Sequence, residues 1–265
     1  MPNEIKGLNE ECGLFGIWGA DNAAQLTYDG LHSLQHRGQE GAGIVSNENG
    51  QFHRQRGLGL LAEVFADPQK IATLPGTAAI GHVRYATAGN HGIKNIQPMF
   101  FDHPGEGQFA LAHNGNLTNA TQLRRDLTKK GVQFQATSDS ELLGELIQTS
   151  SQTNFIDQLK ASLNQLRGGF AYLLMTPQMM VAALDPNGFR PLVVGKLANG
   201  AMIVCSETCA LDQVGATFVR DVEPGEIIIV TDKGMQIDHF TTDTHLSICS
   251  MEYIYFARPD SVIRG

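Results

Sequence analysis

Strand-like segments recur along this chain with few helices between them, and this pattern constrains the fold more than any other feature of the sequence. About a dozen short runs have the apolar content and turn residues of β-strands, whereas about four or five segments have a helical period. Six of these runs follow one another at residues 170–175, 179–184, 192–195, 202–205, 226–231 and 235–239. Because helices do not alternate with these strands, we expect an α+β fold of two mostly antiparallel sheets, stacked together and covered by helices.

The first part of the chain contributes most of the predicted helices. Helical periods indicate helices at residues 22–36, 58–65, 119–130, 155–166 and from residue 138 onward. Ser138 and Glu141 have the spacing of a capping box at the start of the helix that they open. Strands are expected at 77–85 and 109–113, and a hairpin joins 44–47 to 51–56. Gly38, Gly41 and Gly43 predict a loop that lets the backbone approach another group closely.

Charge and composition exclude several classes of function. The chain has 265 residues, 42% of them hydrophobic, and a net charge of −8. It has no basic block and no apolar run of about 18 residues, so neither nucleic acid nor a membrane is an expected partner. Residues 1–11 are polar and carry three glutamates, unlike a secretory signal. Without export, the four cysteines should be reduced thiols and the protein cytoplasmic.

Cys12 lies at the start of a short apolar run, behind eleven residues that have neither a strand nor a helix period. If this leader, residues 1–11, is removed, Cys12 becomes the first residue of the chain. Its α-amine, with a pKa near ~8, could then take the thiol proton, as in enzymes that use an N-terminal nucleophile. The alternative is a buried cysteine without a chemical role, which is common in protein cores.

Other polar residues at strand ends and in loops suggest a substrate for such a nucleophile. Arg84 ends an apolar strand, where its guanidinium suits either a ligand carboxylate or a structural ion pair. Asn114 and Gly115 form either a turn or an oxyanion hole built from a side-chain amide and a backbone N–H. Asp139 either favours a helix dipole or receives an ammonium group. With Cys12, these residues describe a site for the amide of an amino acid.

Five short motifs occur in order and are highly specific together. They are CGLFG at 12–16, HRGQEGAG at 36–43, HVRYATAG at 82–89, HNGN at 113–116 and SDSE at 138–141. In these motifs the chain resembles the glutaminase domain of class II glutamine amidotransferases. Residues 185–192 and 253–261, with the eleven-residue leader, resemble the branch that makes 5-phosphoribosylamine from phosphoribosyl pyrophosphate (PRPP) at the start of purine synthesis.

The resemblance implies an N-terminal-nucleophile hydrolase fold, a four-layer αββα sandwich, over residues 12–245. It makes Cys12 the nucleophile that leader removal exposes. It also assigns the residues that would bind L-glutamine: Arg84 and Thr87 for the α-carboxylate, Gly115 and Asp139 for the α-amine, Asn114 and Gly115 for the oxyanion, and Arg37 and Gly38 in the loop that frames the cysteine.

A second catalytic half is implied as well, and the sequence does not contain it. A PRPP site needs an acidic pair and a phosphate loop, and the nearest match, at 227–234, is interpreted as a hairpin. Residues 246–265 are expected to begin the connection to this missing phosphoribosyltransferase domain. That domain would hold PRPP with Mg²⁺ on its pyrophosphate, and the full-length enzyme is expected to be a homo-oligomer.

Cysteine usage bears on a possible cofactor. One branch of the family binds a [4Fe–4S] cluster, for which Cys249 would be the ligand in this half. A cubane cluster needs about four thiolates. Cys12 is assigned to catalysis, and Cys205 and Cys209 are interpreted as buried structural cysteines. We therefore expect no cofactor in this chain, which should purify colourless with Cys249 as a free thiol.

Three other interpretations stay open at this point. An N-terminal-cysteine hydrolase of another amide would explain Cys12 but would give Arg84 and Asp139 no purpose. A papain-like pair of Cys12 with His82 or His113 would leave the leader unexplained. A non-catalytic glutamine-binding or subunit-contact module would result if the leader stays in place.

Overall fold

The computed structural model describes residues 12–85 and 92–265. Within them lie thirteen strands and seven α-helices. The strands are β1 (Gly13–Trp18), β2 (Gly41–Glu48), β3 (Gln51–Leu58), β4 (Ala78–Arg84), β5 (Met99–His103), β6 (Gly107–Leu117), β7 (Gly168–Met175), β8 (Met180–Leu184), β9 (Val193–Lys196), β10 (Met202–Cys205), β11 (Thr217–Asp221), β12 (Glu226–Thr231) and β13 (Gly234–His239). The helices are α1 (Ala23–Ser33), α2 (Leu61–Val64), α3 (Gln69–Ala72), α4 (Ala120–Lys129), α5 (Glu141–Gln148), α6 (Phe155–Leu163) and α7 (Thr208–Gln213).

The strands form two antiparallel sheets, as the sequence predicts. The first sheet has the order β11-β9-β10-β1-β4-β2-β3, and the second has the order β13-β12-β8-β7-β6-β5. Neighbouring strands pair antiparallel throughout both sheets. No helix in the described ranges is both long and apolar enough to cross a membrane.

Three apolar cores hold the layers together. The central core packs one sheet on the other, with Leu14 and Ile80 facing Ala112 and Leu173. A second core joins the first sheet to α1, α2 and α7, and a third joins the second sheet to α4, α5 and α6. Burying each large apolar side chain contributes roughly 1.5–3 kcal/mol. The order of layers is helix, sheet, sheet, helix, which confirms the predicted αββα sandwich.

The glycine-rich segment after residue 37 is a strand over most of its length, so the predicted loop is wrong there. Gly41 and Gly43 both lie in β2. A Cβ atom on Gly43 would lie 2.3 Å from the carbonyl oxygen of Gln97, and one on Gly41 would lie 2.3 Å from Ile96 Cδ1. Because these two glycines have no side chain, β2 packs closely against residues 96 and 97.

The start of α5 also differs from expectation, because no capping box forms there. The N-cap residue is Ser140, and its side chain makes no capping hydrogen bond. Instead, the Glu141 carboxylate accepts hydrogen bonds from the backbone N–H groups of Gln135 and Ala136, at 2.6 and 2.8 Å. Glu141 thus orders the loop that leads to Asp139 rather than the first turn of the helix.

Candidate functional site

Cys12 precedes β1, a central strand of the first sheet. Its side chain is half-buried, and its Sγ lies 3.6 Å from the carbonyl oxygen of Tyr85. Leu14, two residues later, belongs to the core between the sheets, and the alternation of β1, extended back by one residue, would place the Cys12 side chain on the same side. The proposed leader, residues 1–11, lies outside the described residues, and its removal stays a prediction.

Arg37 holds the backbone of Cys12 and is enclosed on all sides. Its Nε donates to the carbonyl oxygen of Cys12 at 3.1 Å. The rest of the guanidinium binds the buried carboxylates of Glu207, at 2.6 Å, and Glu252, at 3.0 and 3.1 Å. Burial would lower the pKa of Arg37, but these two carboxylates raise it above its ordinary value. The side chain therefore frames the cysteine from behind and holds it through its backbone.

Gly38 allows the cysteine-framing loop to lie directly on the end of β4. A Cβ atom at this position would lie 2.5 Å from the carbonyl carbon of Arg84. No side chain other than hydrogen fits that spacing. The loop and the strand that carries Arg84 are thus held together at backbone distance, and a direct contact of Gly38 with substrate stays a prediction.

Arg84 ends β4 with its side chain almost fully buried, and its guanidinium is engaged. The Nε lies 3.3 Å from Glu40 Oε2, and Nη1 donates to the carbonyl oxygen of Asn95 at 2.6 Å. A ligand carboxylate would add to or replace the long contact with Glu40. Thr87, the other predicted carboxylate ligand, lies outside the described residues.

Asn114 carries an unsatisfied amide in the protein interior. It lies in β6 and is 0% exposed, and neither its Nδ2 nor its Oδ1 has a hydrogen-bond partner among the described residues. Such an orphan pair is costly, because each buried polar atom without a partner costs roughly 1–3 kcal/mol. Ala112, two residues earlier, faces the gap between the sheets, so Asn114 faces it too.

Gly115 follows in the same strand, which the sequence predicts to end two residues earlier, at 113. Its φ is 152°, and a Cβ atom at this position would lie 2.2 Å from the carbonyl oxygen of Gly169, so no other residue fits. The strand therefore passes through the Asn114–Gly115 pair without a turn. This leaves the amide and the adjacent backbone N–H as candidate donors to one oxygen.

Asp139 lies just before α5, at the edge of a cavity of about 610 Å³. Its Oδ2 accepts a hydrogen bond from the backbone N–H of Leu117 at 2.8 Å. Its Oδ1 lies 3.9 Å from His113 Nδ1. Burial lowers the pKa of His113 to about 4, so this imidazole is neutral near pH 7 and does not neutralise the carboxylate. The carboxylate can therefore pair with an ammonium group. The lining of this cavity includes none of Cys12, Arg84, Asn114 and Gly115, so the cavity itself does not bring Asp139 together with them.

The two histidines are engaged away from the cysteine. His82 Nε2 pairs with the carbonyl oxygen of His113 at 3.1 Å, and His113 Nδ1 pairs with Ser140 Oγ at 3.1 Å. The second nitrogen of each ring has no partner within residues 12–85 and 92–265. Burial lowers the pKa of His82 to about 3. These observations argue against the papain-like alternative, since neither ring has Cys12 Sγ as a partner and both are poor bases.

The three remaining cysteines have separate surroundings. Cys205 and Cys209 are buried, as predicted, although Cys205 ends a strand and only Cys209 is helical. Burial raises the pKa of both thiols, that of Cys209 to about 11. Cys249 is half-buried and unbridged. Over residues 12–85 and 92–265, no group of three or more His, Cys, Asp or Glu side chains could hold a metal ion.

Two buried carboxylates at the site were missed by sequence reasoning. Glu207 and Glu252 are 3% and 0% exposed and lie far along the chain from Arg37, which they bind. The sequence gives one hint that Glu252 is buried, because this acid directly precedes the apolar run at 253–256 and acids are rarely buried without a partner. The sequence gives no such hint for Glu207, since it lies in an ordinary connection between a strand and a helix.

Comparison with known sequences gives this site a context. The profile of the glutamine amidotransferase domain matches residues 82–213, which include Arg84, Asn114 and Asp139 but not Cys12. Amidophosphoribosyltransferase of Bacillus subtilis strain 168 is 55% identical over 265 residues, which cover 100% of this chain and 55% of the relative. The Staphylococcus aureus MRSA252 protein of the same name is 51% identical over 259 residues, which cover 98% of this chain and 52% of the relative.

A solved structure agrees with the sequence comparison. Glutamine phosphoribosylpyrophosphate amidotransferase from B. subtilis, complexed with ADP and GMP, has a TM-score of 0.91 and 53% identity. The match covers 96% of this chain and 55% of that one. The chain thus spans about half the length of the curated relatives it matches.

Proposed function

This chain belongs to the amidophosphoribosyltransferase family through its glutamine amidotransferase domain, and on that premise we propose that it hydrolyses the side-chain amide of L-glutamine at Cys12. The products are glutamate and ammonia. The observation that carries the proposal is the unsatisfied amide of Asn114. Strand alternation from Ala112 and Leu14 directs this amide and the Cys12 side chain to the gap between the sheets. A buried donor without a partner is retained at a cost, and a transient oxyanion gives it a function.

The chemistry begins with leader removal, which converts the Cys12 backbone nitrogen into an amine. The amine takes the thiol proton, and the Sγ thiolate attacks the amide carbon of glutamine. As the C–S bond forms, the carbonyl electrons move to oxygen, where Asn114 Nδ2 and the Gly115 N–H stabilise the charge. The ammonium of Cys12 then protonates the departing nitrogen, which leaves as ammonia.

Water completes the cycle. The same amine takes a proton from water, whose oxygen attacks the thioester carbon. The C–S bond breaks, the thiolate leaves, and glutamate is released. His82 and His113 take no part in these proton transfers, because burial lowers their pKa values to about 3 and about 4.

Substrate recognition supports glutamine over other amides. Arg84 would bind the α-carboxylate with its planar fork, in place of part of its contact with Glu40. Asp139 Oδ1, which lies 3.9 Å from the neutral His113 ring, would receive the α-ammonium. We assign Thr87, Gly115 and Gly38 to the same substrate, with Arg37 behind the cysteine.

For the longer protein we propose transfer of ammonia to PRPP, as a cytoplasmic homo-oligomer. Mg²⁺ on the pyrophosphate would be bound outside residues 12–85 and 92–265, which hold no metal-ligating group of three or more side chains. Cys249 would supply one thiolate of a [4Fe–4S] cluster only together with cysteines from elsewhere. No step of glutamine hydrolysis depends on either group.

Three substrates test the proposal on protein that starts at Cys12. Glutamine should be hydrolysed, whereas N-acetylglutamine, which lacks the ammonium, and glutamine α-amide, which lacks the carboxylate, should react at least about tenfold less efficiently. Equal rates on all three would favour a hydrolase of other amides. Binding of glutamine without glutamate release would favour a non-catalytic binding module.

A further inference from the structure

We propose that Glu252 is a positioning residue for the nucleophile, acting on Cys12 through Arg37; this inference rests on the proposed function. Glu252 begins a short helical segment, Glu252–Phe256, near the end of the chain. It is distant from Cys12 in sequence and is not among the residues assigned to the substrate. Its side chain is nevertheless part of a continuous chain of hydrogen bonds that ends on the cysteine.

The geometry of that chain of bonds is specific. The two carboxylate oxygens of Glu252 accept hydrogen bonds from Nη1 and Nη2 of Arg37, at 3.1 and 3.0 Å. The Nε of Arg37 is then the atom that reaches the Cys12 carbonyl oxygen, at 3.1 Å. A bidentate pair fixes the plane of a guanidinium, whereas a single bond would let it rotate. Glu252 therefore sets the direction from which Arg37 approaches residue 12.

Burial shows that the segment is organised around this carboxylate. Glu252 is 0% exposed, whereas the next three residues, Tyr253, Ile254 and Tyr255, are 55%, 77% and 52% exposed. A segment that only covered the core would bury its apolar side chains and expose its acid. Here the acid is inside, and the desolvation cost of a buried charge is offset by the guanidinium.

Glu207 completes the charge environment of Arg37. It accepts from Arg37 at 2.6 Å, and its other oxygen accepts from the backbone N–H of Arg258 at 3.0 Å and from Ser261 Oγ at 2.6 Å. Burial would raise the pKa of Glu207, but hydrogen bonding with His36 and the charge of Arg37 hold it at about 2. One guanidinium thus lies between two carboxylates, so the loss of either changes the charge behind Cys12.

The hydrogen bond from Arg37 to the Cys12 carbonyl oxygen matters more for the position of the nucleophile once Cys12 is the first residue. Without the preceding peptide bond, the residue is covalently attached only through its carboxyl side. The carbonyl accepting from Arg37 is attached to the Cα that carries both the amine and the thiol-bearing side chain. A small rotation about that carbonyl would move both reacting groups, and displacements near 1 Å can cost about 100-fold in rate.

The test compares Glu252→Gln with the parent, both beginning at Cys12, by glutaminase kinetics and by the pH dependence of Cys12 alkylation with iodoacetamide, followed by peptide mass spectrometry. We expect kcat to fall at least about tenfold with KM for glutamine within about twofold, because the reacting group moves while the substrate ligands stay. The alkylation midpoint of Cys12 should shift to lower pH, because one negative charge near the thiolate is gone.

Two further variants separate positioning from mere anchoring. Glu252→Asp keeps the charge but shortens the reach, so kcat should fall while the alkylation midpoint stays; it decides the question if Glu252→Gln does not fold.

Glu223→Gln, which breaks an exposed pair with Arg264 at 2.6 Å, is the matched control and should change neither value. A lower melting temperature with unchanged kcat and midpoint would overturn the inference. An inactive parent whose midpoint still shifts in Glu252→Gln would overturn the glutaminase proposal instead.

Discussion

Replacing Asn114 with alanine should lower activity without the loss of stability that a core substitution usually causes. The amide is 0% exposed and has no hydrogen-bond partner in the described part of the chain, so folding already bears its desolvation cost. Removing the amide recovers part of this desolvation cost of roughly 1–3 kcal/mol. The small cavity that the substitution leaves lowers the free energy of unfolding by about as much. We expect Asn114→Ala to lie between about 1 kcal/mol less stable and about 2 kcal/mol more stable than the parent.

The activity should change far more. Removal of one oxyanion donor typically lowers kcat by about 10²–10³-fold, or about 2.7–4 kcal/mol of transition-state stabilisation. The assay is glutamate release at saturating glutamine, combined with unfolding in urea on the same preparations. KM should change little, since the oxyanion exists only after attack.

Asn47 provides the matched control. It is also a buried asparagine in a strand, but its amide bonds to the carbonyl oxygens of Thr176 and Pro177 and to the N–H of Gly50. Asn47→Ala should therefore lose roughly 1–3 kcal/mol of stability and keep its kcat. If Asn114→Ala proved as destabilised as Asn47→Ala while remaining active, the oxyanion assignment would be refuted.

Three further predictions concern recognition, pH and iron. Arg84→Lys and Asp139→Asn should mainly raise KM for glutamine, because an ammonium cannot replace the planar fork and a neutral amide cannot pair with the α-ammonium; unchanged kinetics in both would make these residues structural. The pKa of Glu207 is lowered from 4.5 to about 2, so its stabilising contribution is complete above about pH 4.5 and is lost as pH falls toward 2. Glu207→Gln should therefore flatten the dependence of unfolding free energy on pH in that window, and identical slopes would contradict the assignment. The isolated chain should purify colourless with Cys249 alkylatable, and stoichiometric iron and sulfide would show that it binds a cluster after all.

The sheets were predictable from the sequence because their central strands are apolar and separated by clear turns. The two strands missed, β5 and β11, are edge strands, and the pattern weakens there. In β11, Phe218 and Val219 are both exposed, so no alternation marks the strand. The errors at Gly41 and Glu141 have another cause. Gly41 packs against Ile96, a contact distant in sequence that local patterns do not encode. Glu141 bonds the backbone of the preceding loop, at residues 135 and 136, instead of the first turn of its own helix.

Candidate site residues could be named from the sequence, whereas their contacts could not. Motifs pointed to Cys12, Arg84, Asn114 and Asp139. Strand alternation directs Asn114 into the gap between the sheets, whereas Asp139 lies outside the strands, just before α5. The partners of Arg37 could not be predicted, because an ion pair between residues separated by 170 and 215 positions leaves no spacing signal. The burial of Glu207 and Glu252 in the structure identifies them as partners of a cation, since a buried carboxylate requires one.

The central claim is that Cys12 acts through its own amine, and one comparison tests it most directly. Glutaminase activity is measured on two preparations of the chain, one beginning at Met1 and one at Cys12, each verified by intact mass and N-terminal sequencing. The account predicts activity only in the preparation that begins at Cys12, and its loss in Cys12→Ser with glutamine binding retained. Full activity in protein that still carries Met1 would contradict the account, because no free amine would then be available at the nucleophile.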